Sequence, residues 1–278
     1  MKKIIFLILL CVLAISISGC SQQNQVSPEE LNHIGCQESE IIDGECVIAE
    51  ENNADLFGQD LSSIQTQELE IGFLAKPEVE GDYPGIIMIH EWWGLNDNIK
   101  EMAKIMANEG YVVLAVDLYG EVAEDSTKAR ELATSVRENP SEAVADMKKA
   151  ISYLKEQGVT SLGSIGWCFG GQQSLAISLN DNLGATVIYY GHLIDDKEQL
   201  DNINWPVLGI FGEEDSSISV ESVRNFESAL NDLSIDNEIH IYPEVGHAFA
   251  NPSGSNYAAE ETLDAWGKTV EFLNDNLK

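Results

Sequence analysis

The chain has 278 residues, and 44% of them are hydrophobic, which is enough for one large α/β domain with an ordinary buried core. Its 47 acidic residues outnumber its 15 Lys and Arg residues, so the formal net charge at pH 7 is −32. A negative field of that size repels nucleic acid and anionic lipid headgroups, so we expect no nucleic-acid partner. The acids are spread along the chain, which indicates a solvated acidic surface of a kind that also suits high-salt surroundings.

Residues 1–19 have the pattern of an export signal. Two lysines near the start precede an almost unbroken apolar run from Ile4 to Ile17, which is too short for a comfortable membrane span. The following Ile17-Ser18-Gly19-Cys20 resembles a lipobox, in which a lipidated cysteine becomes the mature N-terminus. We therefore predict an extracytoplasmic protein that contacts the membrane only through a lipid on Cys20. The alternative is an ordinary secretory signal with an incidental cysteine.

Residues 20–62 are polar and predict a flexible tether. Within it, Cys36 and Cys46 flank Asp43-Gly44, which is a turn signal. Export would place both thiols where disulfides persist, so we predict a Cys36–Cys46 disulfide, with two free thiols as the alternative. Cys168 would then be the unpaired thiol.

From about residue 63 to residue 278, continuous apolar runs alternate with amphipathic helical patterns. The runs are Gly85–His90, Tyr111–Val116, Leu162–Ile165, Ala185–Tyr190 and Val207–Phe211. Continuous runs predict strands buried on both faces. Apolar residues at helical spacing over 99–106, 144–154 and 263–273 predict helices. The alternation predicts an α/β fold with a mostly parallel sheet covered by helices on both sides.

The sharpest motif is Gly166-Trp167-Cys168-Phe169-Gly170-Gly171, which follows one predicted strand and precedes a helical pattern. It has the form of a nucleophile elbow, a tight strained turn that leaves no room for side chains at Gly166 and Gly170. A helix that begins at Gly171 would favour the thiolate of Cys168. The alternatives are a buried structural cysteine and a phosphate-binding turn, although the usual phosphate-binding glycine patterns are missing.

A nucleophile in this fold needs an acid and then a histidine later in the chain. Three histidines follow Cys168. His240 lies in an alternating strand, and His192 follows a strand end and could line a pocket. His247 lies in a loop directly after a strand, where a catalytic histidine is expected. Asp215 follows the strand that ends near Phe211 and lies between nucleophile and histidine in the chain, which selects it among many acids.

The loop after the first buried strand reads His90-Glu91-Trp92-Trp93-Gly94. A backbone N–H in this loop, together with that of Phe169, would form an oxyanion hole. Glu91 would lie near the mouth of the site, where a carboxylate could serve the protonation state of the thiol.

Over about residues 65–278 the chain resembles the dienelactone hydrolase (carboxymethylenebutenolidase) family of the α/β-hydrolase superfamily. The residues that carry the resemblance are 90–96, 117–119, 166–171, 212–215 and 246–249. The roles that it implies are nucleophile for Cys168, base for His247, orienter for Asp215, acceptor of the thiol proton for Glu91, and backbone oxyanion donors for Trp92 and Phe169.

Two arginines with which the family holds a substrate carboxylate have no match here, because Gly120-Glu121-Val122 and Asn251 stand at their positions. Arg130 or Arg137 could substitute for them. We expect hydrolysis of a small ester or lactone through a thioester acyl-enzyme, by a monomer that uses no metal or organic cofactor. The alternatives are a thioesterase or cysteine peptidase on the same scaffold, and a non-catalytic surface lipoprotein that serves as a binding module.

Overall fold

The computed structural model describes residues 41–42, 45–46 and 56–278. The expected signal peptide, Cys20 and Cys36 lie outside the described residues. Two short strands, β1 (Ile41–Ile42) and β2 (Glu45–Cys46), pair antiparallel with Ile41 opposite Cys46.

The chain divides into two compact units, and the second spans Asp55–Lys278. Leu56, which lies within the predicted tether, is buried in the core of this unit. Within the described part of the chain, no helix combines the length and apolar character that crossing a membrane requires.

The unit is built on an eight-stranded sheet in the order β10-β9-β8-β7-β5-β6-β4-β3. Its strands are β3 (Ile64–Leu69), β4 (Gly72–Pro77), β5 (Gly85–Ile89), β6 (Val112–Val116), β7 (Leu162–Trp167), β8 (Ala185–Tyr189), β9 (Val207–Gly212) and β10 (Asn237–Tyr242). Strands β5 to β10 are parallel, whereas β4 pairs antiparallel with both β3 and β6. The mostly parallel α/β fold is confirmed, and the antiparallel edge pair is an addition to it.

Seven helices accompany the described strands: α1 (Asp97–Asn108), α2 (Ser126–Glu138), α3 (Pro140–Glu156), α4 (Phe169–Ser178), α5 (Lys197–Leu200), α6 (Val220–Asp232) and α7 (Ala259–Leu277). Alternate residues of β5 point to opposite sides of the sheet. Ile86 and Met88 pack in the cluster formed with α1 and α7, and Ile87 and Ile89 pack in the cluster formed with α3. The sheet therefore carries apolar side chains on both faces, as its continuous apolar runs predict.

Helix α2 has no counterpart among the helices expected from the sequence. It begins after Asp125, whose side chain accepts hydrogen bonds from the backbone N–H groups of Thr127 and Lys128, at 2.8 and 2.9 Å. Only Ala129 and Ala133 of this helix are buried. Two alanines form a very weak apolar stripe, so hydrophobic periodicity does not reveal this helix.

Candidate active site

Cys168 lies on a sharp turn between β7 and α4, with φ 55° and ψ −114°. A positive φ is rare for a residue with a side chain and marks local strain. A Cβ on Gly166 would lie 2.1 Å from the carbonyl oxygen of Gly170, and a Cβ on Gly170 would lie 2.2 Å from that of Ile89. The turn therefore requires both glycines. Helix α4 begins at Phe169, two residues before the expected start at Gly171.

Three side chains from three separate segments meet at this turn. Nε2 of His247 lies 3.1 Å from Sγ of Cys168, and its Nδ1 lies 2.7 Å from Oδ2 of Asp215. The other carboxylate oxygen of Asp215 accepts hydrogen bonds from the backbone N–H groups of Ser217 (2.7 Å) and Ile218 (2.9 Å). These two bonds fix the carboxylate, which in turn fixes the imidazole ring against the thiol.

The hydrogen bonds of His247 favour the positively charged form of its imidazole ring. Burial by itself would lower the pKa of His247, but its hydrogen bonds to Asp215 and Cys168 raise it to about 10. Burial would raise the pKa of Asp215, and hydrogen bonds from His247 and from the backbone of Ile218 and Ser217 hold it below its usual value. A proton on His247 is therefore stabilised by the carboxylate of Asp215.

Glu91 is buried, with 4% of its surface exposed, and lies beside the same cavity as Cys168. Burial raises the pKa of its carboxyl group to about 7, against the opposing effects of the His247 charge and of a hydrogen bond from Asn251. The side-chain amide of Asn251 donates that bond to Oε2 of Glu91. Within the described residues, the carboxylate of Glu91 and the thiol of Cys168 thus have different hydrogen-bond partners, Asn251 and His247 respectively. The sequence offered no signal for the Asn251–Glu91 bond.

The loop that carries Glu91 is held by a buried histidine, His90, for which the sequence predicted no role. The backbone N–H of Leu118 donates to Nε2 of His90 at 3.2 Å, so this nitrogen is the acceptor of the ring. Its Nδ1–H then donates to the backbone carbonyl of Glu91 at 2.6 Å. Burial lowers the pKa of His90, which keeps this tautomer neutral. The ring also stacks on Phe169, with centroids 5.7 Å apart.

The two predicted oxyanion donors belong to residues that line the cavity beside Cys168. Trp92 and Phe169 both line the cavity beside Cys168. Among the described residues, neither backbone N–H donates to a protein acceptor. An N–H in the first turn of a helix has no partner within that helix, which leaves the N–H of Phe169 available to a ligand.

These groups face a cavity of about 430 Å³. Of the further candidates from the sequence, His192 and Arg137 line this cavity, whereas Arg130 and His240 do not. The full lining is Glu91, Trp92, Trp93, Arg137, Cys168, Phe169, Tyr190, His192, Ser217, His247, Ala248, Asn251, Gly254, Ser255 and Asn256.

A cysteine on a strand–turn–helix elbow, within a mostly parallel sheet covered on both faces, is the architecture of an α/β hydrolase. Residues 71–277 match the model of the dienelactone hydrolase family. The chain belongs to that family and is by this membership an ester or lactone hydrolase.

Known proteins of similar sequence agree with this assignment. The chain is 31% identical over 239 residues to a protein of Saccharolobus solfataricus assigned as a carboxymethylenebutenolidase, covering 72% of this chain and 92% of that one. It is 35% identical over 217 residues to Protein usf of Aquifex pyrophilus, covering 74% and 93% of the two chains. A crystal structure from Klebsiella pneumoniae, assigned as a dienelactone hydrolase, superposes with a TM-score of 0.69 at 26% identity. That alignment covers 76% of this chain and 98% of the other.

Proposed function

We propose that this hydrolase cleaves a small ester or lactone through a thioester formed on Cys168, with His247 as base and Asp215 as its orienting partner. The observation that carries the proposal is the continuous contact from thiol to imidazole to carboxylate, with Sγ–Nε2 of 3.1 Å and Nδ1–Oδ2 of 2.7 Å. This contact lies at the wall of a cavity, where a substrate carbonyl can reach the sulfur.

In the first step the sulfur of Cys168 attacks the carbonyl carbon, and its proton is taken up by Nε2 of His247. Negative charge develops on the carbonyl oxygen, and the N–H groups of Trp92 and Phe169 stabilise it. Collapse of this intermediate breaks the carbon–oxygen bond of the ester, and His247 returns its proton to the departing alkoxide. The products of the step are an alcohol and a thioester on the enzyme.

In the second step water attacks the thioester carbon while His247 takes one of its protons. The same two N–H groups stabilise the second oxyanion, and its collapse releases the carboxylic acid and restores the thiol. In this proposal Glu91 relays the thiol proton: it accepts the proton from Cys168 as substrate enters and passes it to Nε2 of His247. Its support is a pKa near 7 and a place in the same cavity wall, which allow it to gain or lose a proton at neutral pH.

The test is a panel of aryl esters, lactones, thioesters and peptide anilides on the wild-type enzyme and on Cys168→Ala. We expect ester or lactone turnover, and a loss of at least ~10³-fold in kcat with Cys168→Ala. Burst release of the alcohol would identify the acyl-enzyme. Ester turnover that survives the substitution unchanged would refute the mechanism. Preferred cleavage of thioesters or anilides would favour the thioesterase or peptidase alternative. A wild-type protein that cleaves none of these compounds would favour the alternative of a non-catalytic binding module.

We also propose that the chain is exported and anchored by a lipid on Cys20. The support for this is the charge, apolar length and small residues of 1–20, which lie outside the described part of the chain. The Cys36–Cys46 disulfide likewise stays a prediction, since Cys36 lies outside the described residues.

A further inference from the structure

Tyr190 is a buried residue of the site that no step of the proposed mechanism uses. It directly follows β8, has none of its surface exposed, and adopts a positive φ of 34°. Such a backbone is strained for a residue with a side chain and persists only where its surroundings enforce it. Its ring packs against the ring of His247, with centroids 5.3 Å apart, and it lines the active-site cavity. A tyrosine held in this way can act on the groups beside it.

The hydroxyl group of Tyr190 is buried and has no hydrogen-bond partner among the described residues. The hydroxyl of the neighbouring Tyr189, in contrast, bonds to the carbonyl of Ala265 at 3.0 Å and to Oγ1 of Thr269 at 2.7 Å. A buried hydroxyl without a partner is destabilising, so folded proteins nearly always supply one, either a protein group or an ordered water. The hydroxyl of Tyr190 therefore points to a site for a small polar ligand.

A second, much smaller cavity provides such a site. Its volume is about 10 Å³, and Glu91, Tyr190 and Asn251 line it as well as the active-site cavity. That volume is about the minimum that one water molecule needs. The other residues of its lining are Asn98, Ile99, Met102, Trp167 and Ala250. Four of the eight side chains are polar, and a buried water needs about two to four polar partners.

The hydroxyl of Tyr190 lies at the wall of this smaller cavity. Burial raises its pKa, the charges of Glu91 and Cys168 raise it further, and the backbone N–H of Ala250 opposes them, as a donor near the oxygen does. Ala250 belongs to the described lining of the smaller cavity and not to that of the active-site cavity. The hydroxyl is thus close to Ala250 and near enough to Glu91 to be affected by its charge.

The carboxylate of Glu91 has an oxygen that can accept a further hydrogen bond. Its Oε2 accepts from the side-chain amide of Asn251, and within the described part of the chain no donor bonds to its Oε1. A water molecule can accept from a tyrosine hydroxyl and donate to a carboxylate at the same time. One water in the smaller cavity would therefore satisfy both Tyr190 and Glu91.

We propose that the smaller cavity holds one water molecule, which accepts a hydrogen bond from the hydroxyl of Tyr190 and donates one to Oε1 of Glu91. Tyr190 is then a positioning residue, because it acts through the Glu91 carboxylate and not on the reacting atoms. The water and Asn251 hold the two carboxylate oxygens, and both bonds favour the charged form. The effect of Tyr190 on turnover rests on the proton relay proposed for Glu91, whereas the water site does not.

Several other titratable or charged groups surround Glu91. The charge of His247 lowers the pKa of Glu91, against the effect of burial. The others are Cys168, His192 and Arg137 on the wall of the active-site cavity, and His90 on the same loop. In the described lining of the smaller cavity, Glu91 and Tyr190 are the only titratable residues. A change at the hydroxyl of Tyr190 should therefore be felt first by Glu91.

The test measures the pKa of Glu91 directly, by NMR titration of isotope-labelled glutamate carboxyl groups, with Glu91→Gln identifying the signal. Tyr190→Phe removes the hydroxyl and keeps the ring. We expect it to raise the pKa of Glu91 by at least ~0.5, because the charged carboxylate loses support from the water. In Glu91→Gln, the same substitution should leave the pH dependence of kcat/KM unchanged. A high-resolution crystal structure of the wild type should show one water within ~3.2 Å of both oxygens.

Tyr189→Phe is the matched control, because it removes a hydroxyl from the adjacent buried tyrosine, which belongs to neither cavity lining. It should lower the Tm, since Ala265 and Thr269 lose a partner, and leave the pKa of Glu91 within ~0.2 of the wild type. An unchanged pKa in Tyr190→Phe, an equal change in Tyr189→Phe, or a crystal structure without the water would overturn the inference. The titration needs no turnover, so failure of the proposed mechanism would not alter its outcome.

Discussion

The side-chain amide of Asn251 donates a hydrogen bond to the buried carboxylate of Glu91, although the two residues are 160 positions apart in the chain. An amide satisfies one oxygen of the carboxylate without neutralising its charge, so burial dominates and the pKa of Glu91 rises to about 7. The neutral amide at residue 251 thus leaves a carboxyl group of raised pKa in the lining of the cavity that Cys168 also lines.

This titration predicts a pH-dependent stability. A carboxyl group that binds its proton more tightly in the folded state than in the unfolded state loses stabilisation as pH rises between the two pKa values, here from about 4.5 to about 7. Glu91→Gln cannot ionise, so we expect its free energy of unfolding relative to the wild type to increase by roughly 2 kcal/mol between pH 5 and pH 8. Urea unfolding of both proteins at the two pH values measures this difference.

The exposed Glu138, at the end of α2, offers the control for that experiment. Glu138→Gln should track the wild type at both pH values, since an exposed carboxylate remains hydrated in the folded state. A difference between wild type and Glu91→Gln that does not change with pH would contradict the origin that we assign to the raised pKa.

Asp215→Asn should preserve the fold and remove most of the activity. The amide can no longer stabilise a positive imidazole, so the pKa of His247 should fall from about 10 toward 6.5. We expect a loss of about 10²- to 10⁴-fold in kcat. The pKa can be followed by the NMR titration of the His247 ring. Asp232→Asn, which changes an exposed acid of α6, should leave kcat within about 2-fold of the wild type.

Two helical glycines, one in the elbow and one in α7, test the steric account of the elbow. Gly170→Ala should destabilise the protein by more than about 2 kcal/mol, because the new Cβ would lie 2.2 Å from one backbone oxygen and 2.5 Å from another. Gly267→Ala, in the exposed face of α7, meets nothing within 4 Å and should stabilise it by about 0.5–1 kcal/mol. Thermal unfolding compares the two, and equal effects would contradict the steric account.

Export and lipidation are tested at Cys20. The mature wild-type protein should begin at this residue, carry lipid mass, and partition into detergent on phase separation. Cys20→Ser should lose the lipid mass and the detergent partitioning, and Cys36→Ser should retain both. An aqueous wild-type protein without lipid mass would favour the ordinary secretory signal.

The sequence by itself was sufficient for the local features of the site. A tight turn excludes side chains wherever it occurs, so Gly166 and Gly170 could be recognised without knowing the rest of the molecule. Continuous apolar runs identified the parallel strands, because a strand covered on both faces has no polar side. Cys168, Asp215 and His247 follow predicted strands in the chain order that this fold requires. In the structure, Nε2 of His247 lies 3.1 Å from Sγ of Cys168, and its Nδ1 lies 2.7 Å from Oδ2 of Asp215.

Other features were decided only by the tertiary structure. Leu56 lies in a polar stretch, and its burial depends on a partner surface that local composition does not describe. Helix α2 is nearly all exposed, so its position, and with it the difference between Arg130 and Arg137, follows from how the helix packs and where it ends. Periodicity and turn chemistry are short-range properties and can be read along the chain. Which charge faces the cavity, and which amide meets Glu91, depends on contacts between segments that are distant in sequence.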